Sequence, residues 1–134
     1  MSASDLLDKA GRALASARIL LESGDLEGAC NRAYYAMFDA ARSALLSTRA
    51  EVTQSVRTHS GLITALSLHL VKSGRMPVES GKALNRIARI RIVADYTGNQ
   101  VEAATAQWAV EQAESFLAEI RLRFPPGAGP DAGN

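Results

Sequence analysis

The stretch from Leu26 to Leu46 constrains the fold of this chain more than any other stretch. Gly24 ends the segment before it, and Asp25 is well suited to cap a helix that begins at Leu26. Residues 29–46 contain no glycine or proline and are rich in alanine, so a helix is the favoured conformation. Apolar side chains cover most of its circumference: Ala29, Ala33, Met37, Ala40 and Ala44 share one face, and Tyr34, Phe38, Ala41 and Leu45 lie beside it. We therefore predict a central helix that its neighbours contact from more than one side.

A helix is also predicted before this one, from about Ser4 to Glu22. Apolar residues recur along it at helical spacing, namely Leu6, Leu7, Ala10, Ala13, Leu14, Ala17, Leu20 and Leu21. Ser4 is the expected cap, and Ser23 with Gly24 ends the helix. Since only a tight turn separates the two helices, we expect an antiparallel hairpin.

Three further helices are predicted after a polar loop from Ser47 to Arg57. They run from about Ser60 to Lys72, from about Glu79 to Tyr96 and from about Glu102 to Phe124. The sequence thus predicts an all-α fold, an antiparallel up-and-down bundle of four to five helices in a single domain over residues 1–124. The tail over residues 125–134 is rich in proline and glycine, and we expect it to be disordered.

The composition agrees with closely packed helices and limits the class of protein. Apolar residues make up 47% of the 134 residues but aromatic residues only 5%. The net charge of +1 gives no global field that favours nucleic acid, so any nucleic-acid contact must come from a local patch. Cys30 is the only cysteine, which excludes a disulfide within the chain. With no signal-peptide pattern and no apolar run of membrane-spanning length, we expect a soluble, cytoplasmic protein.

The residues that commonly carry enzyme chemistry are few. The two histidines, His59 and His69, are ten residues apart, or ~15 Å along a helix, so together they cannot hold one metal ion. The chain has no Glu-x-x-His pair, no P-loop, no Gly-x-Gly-x-x-Gly and no Gly-x-Ser-x-Gly. We therefore expect neither a metal nor a cofactor.

The fourth predicted helix carries a local excess of positive charge. Lys82, Arg86 and Arg89 follow each other by four and three residues and share one stripe. Such a stripe can bind RNA phosphates, although a solvated helix face gives the same pattern. Arg91 and Asp95 are four residues apart and favour an ion pair, which either fixes packing or aims the guanidinium at a phosphate.

Three segments resemble the small prokaryotic HEPN-domain proteins. They are Asn31 to Phe38 (Asn-Arg-Ala-Tyr-Tyr-Ala-Met-Phe), Thr58 to Ile63 (Thr-His-Ser-Gly-Leu-Ile) and Arg91 to Tyr96 (Arg-Ile-Val-Ala-Asp-Tyr). The resemblance covers about residues 4–124 and points to a branch with an Arg-x-x-Ala-Asp-Tyr segment. It implies a bundle of four main helices with an extra helical segment, a homodimer, and a gene-neighbour partner, often a minimal nucleotidyltransferase antitoxin, in a toxin–antitoxin pair.

The resemblance also implies a role for Arg91. Active family members are metal-independent ribonucleases with an Arg-x4–6-His motif on the helix that corresponds to the fourth predicted helix. Their arginine holds the scissile phosphate, and their histidine transfers protons as the neighbouring 2′-hydroxyl attacks. Arg91 matches the arginine, but the residue five positions on is Tyr96 instead of histidine. The acid–base residue therefore stays open among Asp95, Tyr96 and His59.

Three interpretations of the function follow. The leading one is a toxin-like, metal-independent endoribonuclease that acts as a dimer. The alternative, favoured by the missing histidine, is a catalytically inactive HEPN module for dimerisation and for binding a partner protein or a nucleotide. A purely structural helical adaptor would need only the apolar seams. We expect Asn31 and Arg32 to belong to a polar network and Tyr35 to pack the second helix against the fourth. The resemblance also makes Tyr96 a candidate acceptor of nucleotidyl transfer, because some family toxins are silenced at a tyrosine near the motif.

Overall fold

The computed structural model describes residues 1–48, 58–98 and 100–126, without the side chain of Asp95. It contains helices α1 (Ala3–Ser23), α2 (Leu26–Ser47), α3 (His59–Leu66), α4 (Val78–Thr97) and α5 (Ala103–Arg123), and a π-helical turn (Ser67–Val71) continues α3. No strand occurs in these ranges, so the predicted all-α, HEPN-like helical bundle is confirmed. Most of the predicted loop at 47–57 and of the tail at 125–134 lies outside the described residues.

Helix α2 occupies the centre of the bundle, as its wide apolar surface predicts. It contacts α1, α3, α4 and α5. Its alanines are buried on more than one side, and the buried set is Ala29, Ala33, Ala36, Ala40, Ala41 and Ala44. Because alanine adds little bulk, the neighbouring helices can approach α2 closely without leaving voids. Asp25 caps α2 as predicted, since its carboxylate accepts a hydrogen bond from the Gly28 amide at 2.9 Å.

Helix α1 begins earlier than predicted, and Ser4 is not its cap. The cap is Ser2, whose hydroxyl accepts a hydrogen bond from the Asp5 amide at 3.0 Å. The Asp5 carboxylate in turn accepts a hydrogen bond from the Ser2 amide at 3.1 Å, which completes a capping box. The prediction was wrong because the side chains of Ser2 and Asp5, three positions apart, each accept a hydrogen bond from the other's free amide. The buried Ser43 hydroxyl donates to the Ala3 carbonyl at 2.8 Å and fixes this end of α1 against α2.

The ends of α3 and α4 position the residues of the candidate site. Thr58 caps α3, its hydroxyl accepting a hydrogen bond from the Gly61 amide at 3.1 Å, so α3 begins at His59. Helix α4 follows Pro77 and ends at Gly98, which adopts a left-handed φ of 66°. None of the described helices is both long enough and apolar enough to cross a lipid bilayer.

Candidate functional site

A histidine from α3 is held between α2 and α4 by two hydrogen bonds. Nδ1 of His59 lies 3.3 Å from the hydroxyl of Tyr34, and Nε2 of His59 lies 3.1 Å from Oδ1 of Asn85. In the tautomer protonated at Nε2, the Tyr34 hydroxyl donates to Nδ1 and Nε2 donates to Asn85. The contact with Asn85 is exposed, whereas the contact with Tyr34 is partly buried. His59 is therefore oriented from inside the protein and approachable from the Asn85 side.

An arginine from α4 lies against the same tyrosine. The Cζ atom of Arg91 is 4.6 Å from the ring centroid of Tyr34 and 5.4 Å from that of Tyr35. The ring of His59 lies 5.8 Å from the ring of Tyr34, measured between centroids. Arg91 and His59 thus contact the same buried side chain. We call the side chains of Tyr34, His59, Asn85 and Arg91 the Tyr34 cluster.

Burial and the nearby cation act in opposite directions on Tyr34. Burial raises the pKa of the Tyr34 hydroxyl above its ordinary value, and the positive charge of Arg91 partly opposes this increase. The hydroxyl consequently stays protonated at neutral pH and serves as a hydrogen-bonding group for His59. The cation–π contact holds the half-buried guanidinium of Arg91 in place without consuming its five N–H donors.

The other two residues proposed to act as the base differ from His59 in position. Tyr96 is 87% exposed, and five residues of helix place it about 140° around α4 from Arg91. The side chain of Asp95 lies outside the described residues, and so does the predicted ion pair with Arg91. Of the residues that the sequence offered for catalysis, the described side chains that contact Tyr34 are Arg91 and His59.

The basic stripe of α4 faces away from Arg91. Lys82, Arg86 and Arg89 are all exposed, and helical geometry places them about 140–180° around α4 from Arg91. The guanidinium of Arg86 stacks on Trp108 of α5, with Cζ 4.6 Å from the ring centroid. Arg86 and Arg89 line a groove of about 590 Å³ beside the start of α5. In a single chain this stripe therefore points away from Arg91, whereas the exposed Asn85 of the Tyr34 cluster lies beside it, three residues after Lys82 and four before Arg89.

Asn31, Arg32 and Tyr35 of the predicted polar and packing group lie in two places. Asn31 is exposed and lines a small cavity of about 270 Å³ together with Arg91. Arg32 is exposed and lines a different groove, between α1 and α2, which Tyr35 also lines. Tyr35 is 40% exposed, and its ring contacts the ring of Tyr34 edge-on at 5.3 Å between centroids.

Sequence reasoning did not find two members of the Tyr34 cluster. It treated Tyr34 only as an apolar residue of the central helix, and it did not select Asn85. Their roles depend on the approach of α3 to α2 and α4, which no spacing within one helix reveals. A polar hydroxyl on a predicted buried face was the available signal for Tyr34, because buried hydroxyl groups need a hydrogen-bond partner.

The arrangement offers groups for proton transfer and anion binding. Histidine is the side chain whose unperturbed charge change falls nearest neutral pH, and arginine presents a planar fork that matches phosphate oxygens. Among the described residues, no three histidine, cysteine, aspartate or glutamate side chains are grouped so as to hold a metal ion. The Tyr34 cluster combines an imidazole with a guanidinium that is able to bind an anion.

Comparison with known proteins agrees with this architecture. The chain is 35% identical to the UPF0332 protein glr0978 of Gloeobacter violaceus over 122 residues, which cover 90% of this chain and 93% of the relative. It is 34% identical to a UPF0332 protein of Thermotoga maritima, covering 84% and 83% of the two chains, and 29% identical to "Putative toxin MJ0605" of Methanocaldococcus jannaschii, covering 87% and 84%. The sequence model of the HEPN domain family matches residues 3–123, so the chain belongs to the HEPN domain family.

Proposed function

We propose that this protein is a toxin-like, metal-independent endoribonuclease that acts as a dimer, with Arg91 and His59 as its catalytic residues. The observation that carries the proposal is the contact of both residues with Tyr34, at 4.6 Å for the Arg91 guanidinium and 5.8 Å for the His59 ring. His59 takes the place of the histidine missing from the Arg-x4–6-His motif, because it supplies an imidazole from α3 instead of from α4.

The proposed reaction needs one base, one acid and one anion-binding group. The base accepts the proton of a ribose 2′-hydroxyl, the 2′-oxygen attacks the adjacent phosphorus, and the bond from phosphorus to the 5′-oxygen breaks. The leaving 5′-oxygen takes up a proton from water, and the proton held by the base neutralises the resulting hydroxide. The products are a 2′,3′-cyclic phosphate and a 5′-hydroxyl. In the other tautomer of His59, Nδ1 carries the proton and donates a hydrogen bond to the Tyr34 hydroxyl oxygen, which leaves the lone pair on Nε2. Nε2 is then suited to the base role once substrate displaces the exposed Asn85 amide from it. The Arg91 guanidinium is suited to hold the phosphate oxygens.

Names given to relatives support the toxin-like part of the proposal. Two relatives from Methanocaldococcus jannaschii, 29% and 25% identical to this chain, carry the name "Putative toxin". A toxin of this kind acts beside a neutralising partner, and we propose a minimal nucleotidyltransferase antitoxin for that role. Tyr96 is a suitable acceptor of nucleotidyl transfer to its phenol oxygen, because its side chain is 87% exposed.

The dimer is supported by apolar side chains that the bundle leaves uncovered on α4. Ile92 and Val93 are each 47% exposed, and the ring of Tyr96 follows on the same end of the helix. Contiguous exposed apolar side chains commonly mark a protein interface. A dimer through α4 would bring the basic stripes of two chains toward each other and two copies of Arg91 into one assembly.

The test is cleavage of total RNA in the presence of a chelator. Purified wild-type protein is compared with Arg91→Ala and His59→Gln, the second of which keeps hydrogen-bonding capacity toward Tyr34 and Asn85. We expect both variants to lose cleavage by about a hundredfold or more, the usual effect of removing an acid–base group, here His59, or a group that stabilises charge in the transition state, here Arg91. The matched controls are His69→Gln and Arg121→Ala, which lie outside the Tyr34 cluster and should cleave as the wild type does.

The same experiment weighs the second candidate function, an inactive HEPN module that dimerises and binds a partner protein or nucleotide. Its support is the tyrosine at the motif's histidine position. Folded wild-type protein that leaves RNA intact would favour this function and sink the ribonuclease proposal. If cleavage persists in His59→Gln but not in Arg91→Ala, His59 is excluded as the base, and Asp95 and Tyr96 are the candidates that remain.

A further inference from the structure

A groove between α1 and α2 carries a concentration of positive charge that was not predicted from the sequence. It encloses about 820 Å³, and its walls include Lys9 and Arg12 from α1 and Arg32 and Arg42 from α2. Among the described residues that line it, the only acidic side chain is that of Asp39. Lys9 and Arg12 lie on α1, and Arg32 and Arg42 lie on α2. The chain as a whole is nearly neutral at +1, so the four cations are brought together only when α1 packs against α2.

Asp39 neutralises only part of this charge. Asp39 is 4% exposed. Its carboxylate lies 3.9 Å from the Lys9 ammonium and 3.6 Å from the Arg42 guanidinium. Arg12 and Arg32 are exposed, and neither makes an ion pair with a described residue. Two cations are therefore held in place by a buried anion while two more point their charge into solvent.

The groove is continuous with the Tyr34 cluster through one aromatic residue. Tyr35 lines the groove, its ring contacts Tyr34, and the guanidinium of Arg91 lies 5.4 Å from its centroid. The stripe of α4, in contrast, faces about 140–180° away from Arg91 around the helix. Within a single chain the groove thus adjoins Arg91 through the ring of Tyr35.

We propose that the groove between α1 and α2 binds single-stranded RNA, with Arg12 and Arg32 on successive phosphates and Tyr35 as a stacking surface for a base, and that it leads the strand to Arg91. This inference rests on the proposed ribonuclease function for its choice of ligand. A basic groove beside an exposed aromatic ring is the arrangement that holds single strands without sequence preference, since every base has a face to stack. The charges of Lys9 and Arg42 add to the field but stay tied to Asp39.

The test measures binding separately from cleavage. The probe is a fluorescein-labelled 20-nucleotide RNA whose 2′-hydroxyl groups are all methylated, so that it cannot be cut by 2′-oxygen attack, and anisotropy is recorded over a range of salt concentrations. The double variant Arg12→Ala/Arg32→Ala should bind about tenfold or more weakly. Its salt dependence, the slope of log K against log salt, should fall by about 1.4, because each of the two phosphates left without its arginine accounts for about 0.7 on a single strand.

A substitution that is expected to strengthen binding distinguishes an effect of charge from a loss of folded structure. Asp39→Asn removes a negative charge from the groove and releases Lys9 and Arg42, so it should bind the probe more tightly than the wild type. The matched control is Arg18→Ala/Arg121→Ala, which removes the same charge from exposed positions outside the groove and should bind as the wild type does.

Wild-type affinity in the Arg12→Ala/Arg32→Ala variant would overturn the proposal, and so would weaker binding by folded Asp39→Asn. If the groove variants bind the probe normally but lose binding of poly-glutamate, the groove serves an acidic protein instead. The two proposals fail separately. If binding depends on the groove but ordinary RNA is not cleaved, only the ribonuclease proposal is contradicted. If cleavage depends on Arg91 but is unchanged in the groove variants, only the groove proposal is contradicted.

Discussion

The hydroxyl of Tyr34 lies 3.3 Å from Nδ1 of His59, so a residue of the central helix orients the histidine at the start of α3. The same ring supports the guanidinium of Arg91 at 4.6 Å. One buried tyrosine consequently fixes two polar side chains that come from different helices. A substitution that removes only the hydroxyl can therefore separate its contact with His59 from the contact of the ring with Arg91.

Tyr34→Phe should remove the orientation of His59 and keep the ring under Arg91. We expect a loss of about 1 kcal/mol in the free energy of unfolding, the typical contribution of one hydrogen bond. If His59 acts as a base, cleavage should fall further than this loss of stability explains, with a changed dependence of the rate on pH. Urea unfolding and single-turnover cleavage from pH 5 to 8 measure the two effects. Tyr35→Phe is the control, because its hydroxyl has no hydrogen-bond partner among the described residues; equal rates for the two variants would contradict the orienting role.

Asp39→Asn should change stability in a direction that depends on pH. Burial raises the pKa of the Asp39 carboxyl above its ordinary value of 3.8, and Lys9 and Arg42 only partly oppose this. The folded state therefore binds the proton more tightly than the unfolded state does. The stabilisation from this proton is fully present below the unfolded pKa and is lost as the pH rises through the folded pKa.

At pH 7 the wild type thus carries a disfavoured charge that the neutral asparagine does not. We expect Asp39→Asn to be the more stable protein at pH 7, with an advantage that shrinks as the pH falls toward 3.8. Urea unfolding at pH 7, 5.5 and 4 follows the difference, with the exposed Asp8→Asn as control. An Asp39→Asn variant that is less stable at pH 7 would mean that the two cations outweigh burial.

Ile92→Glu should separate the proposed dimer into single chains. Ile92 is 47% exposed on α4, so a charge there disturbs an interface without entering the core of the bundle. Multi-angle light scattering at micromolar concentration should report a dimer for the wild type and a monomer for the variant, with unchanged circular dichroism. Ile19→Glu on α1, where the side chain is 66% exposed, should remain dimeric. A monomeric wild type would rule out the dimer at that concentration.

Leu117→Ala and Leu122→Ala test the orientation of α5. Leu117 is completely buried and Leu122 is 81% exposed, although both are leucines of one helix. The first change should lower the free energy of unfolding by about 2–5 kcal/mol, because it removes buried apolar atoms and leaves a cavity. The second should change it by no more than about 0.5 kcal/mol. Chemical denaturation of both variants gives the comparison, and equal losses would mean that α5 packs in another orientation.

Local features of the sequence were enough to predict the helical class, the approximate helix bounds and the central place of α2. These features depend on local quantities, namely helix propensity, capping residues and the spacing of apolar side chains, which a single stretch of chain contains. The cap of α1 shows the limit even here, because Ser2 and Ser4 are both serines near the start of the helix and only the reciprocal bonds with Asp5 decide between them. The sequence also identified Arg91 and offered His59 as one of three bases.

Which of these residues contact a common partner depends on how the helices pack in three dimensions. His59 and Arg91 are separated by more than thirty positions and by α3, and they come together because α3 and α4 both pack against Tyr34 of α2. The stripe of Lys82, Arg86 and Arg89 is regular in sequence yet faces away from Arg91, whereas the cations of the α1–α2 groove come from two different helices. Contacts between helices depend on the packing of whole surfaces, and neither spacing nor composition within one helix encodes them.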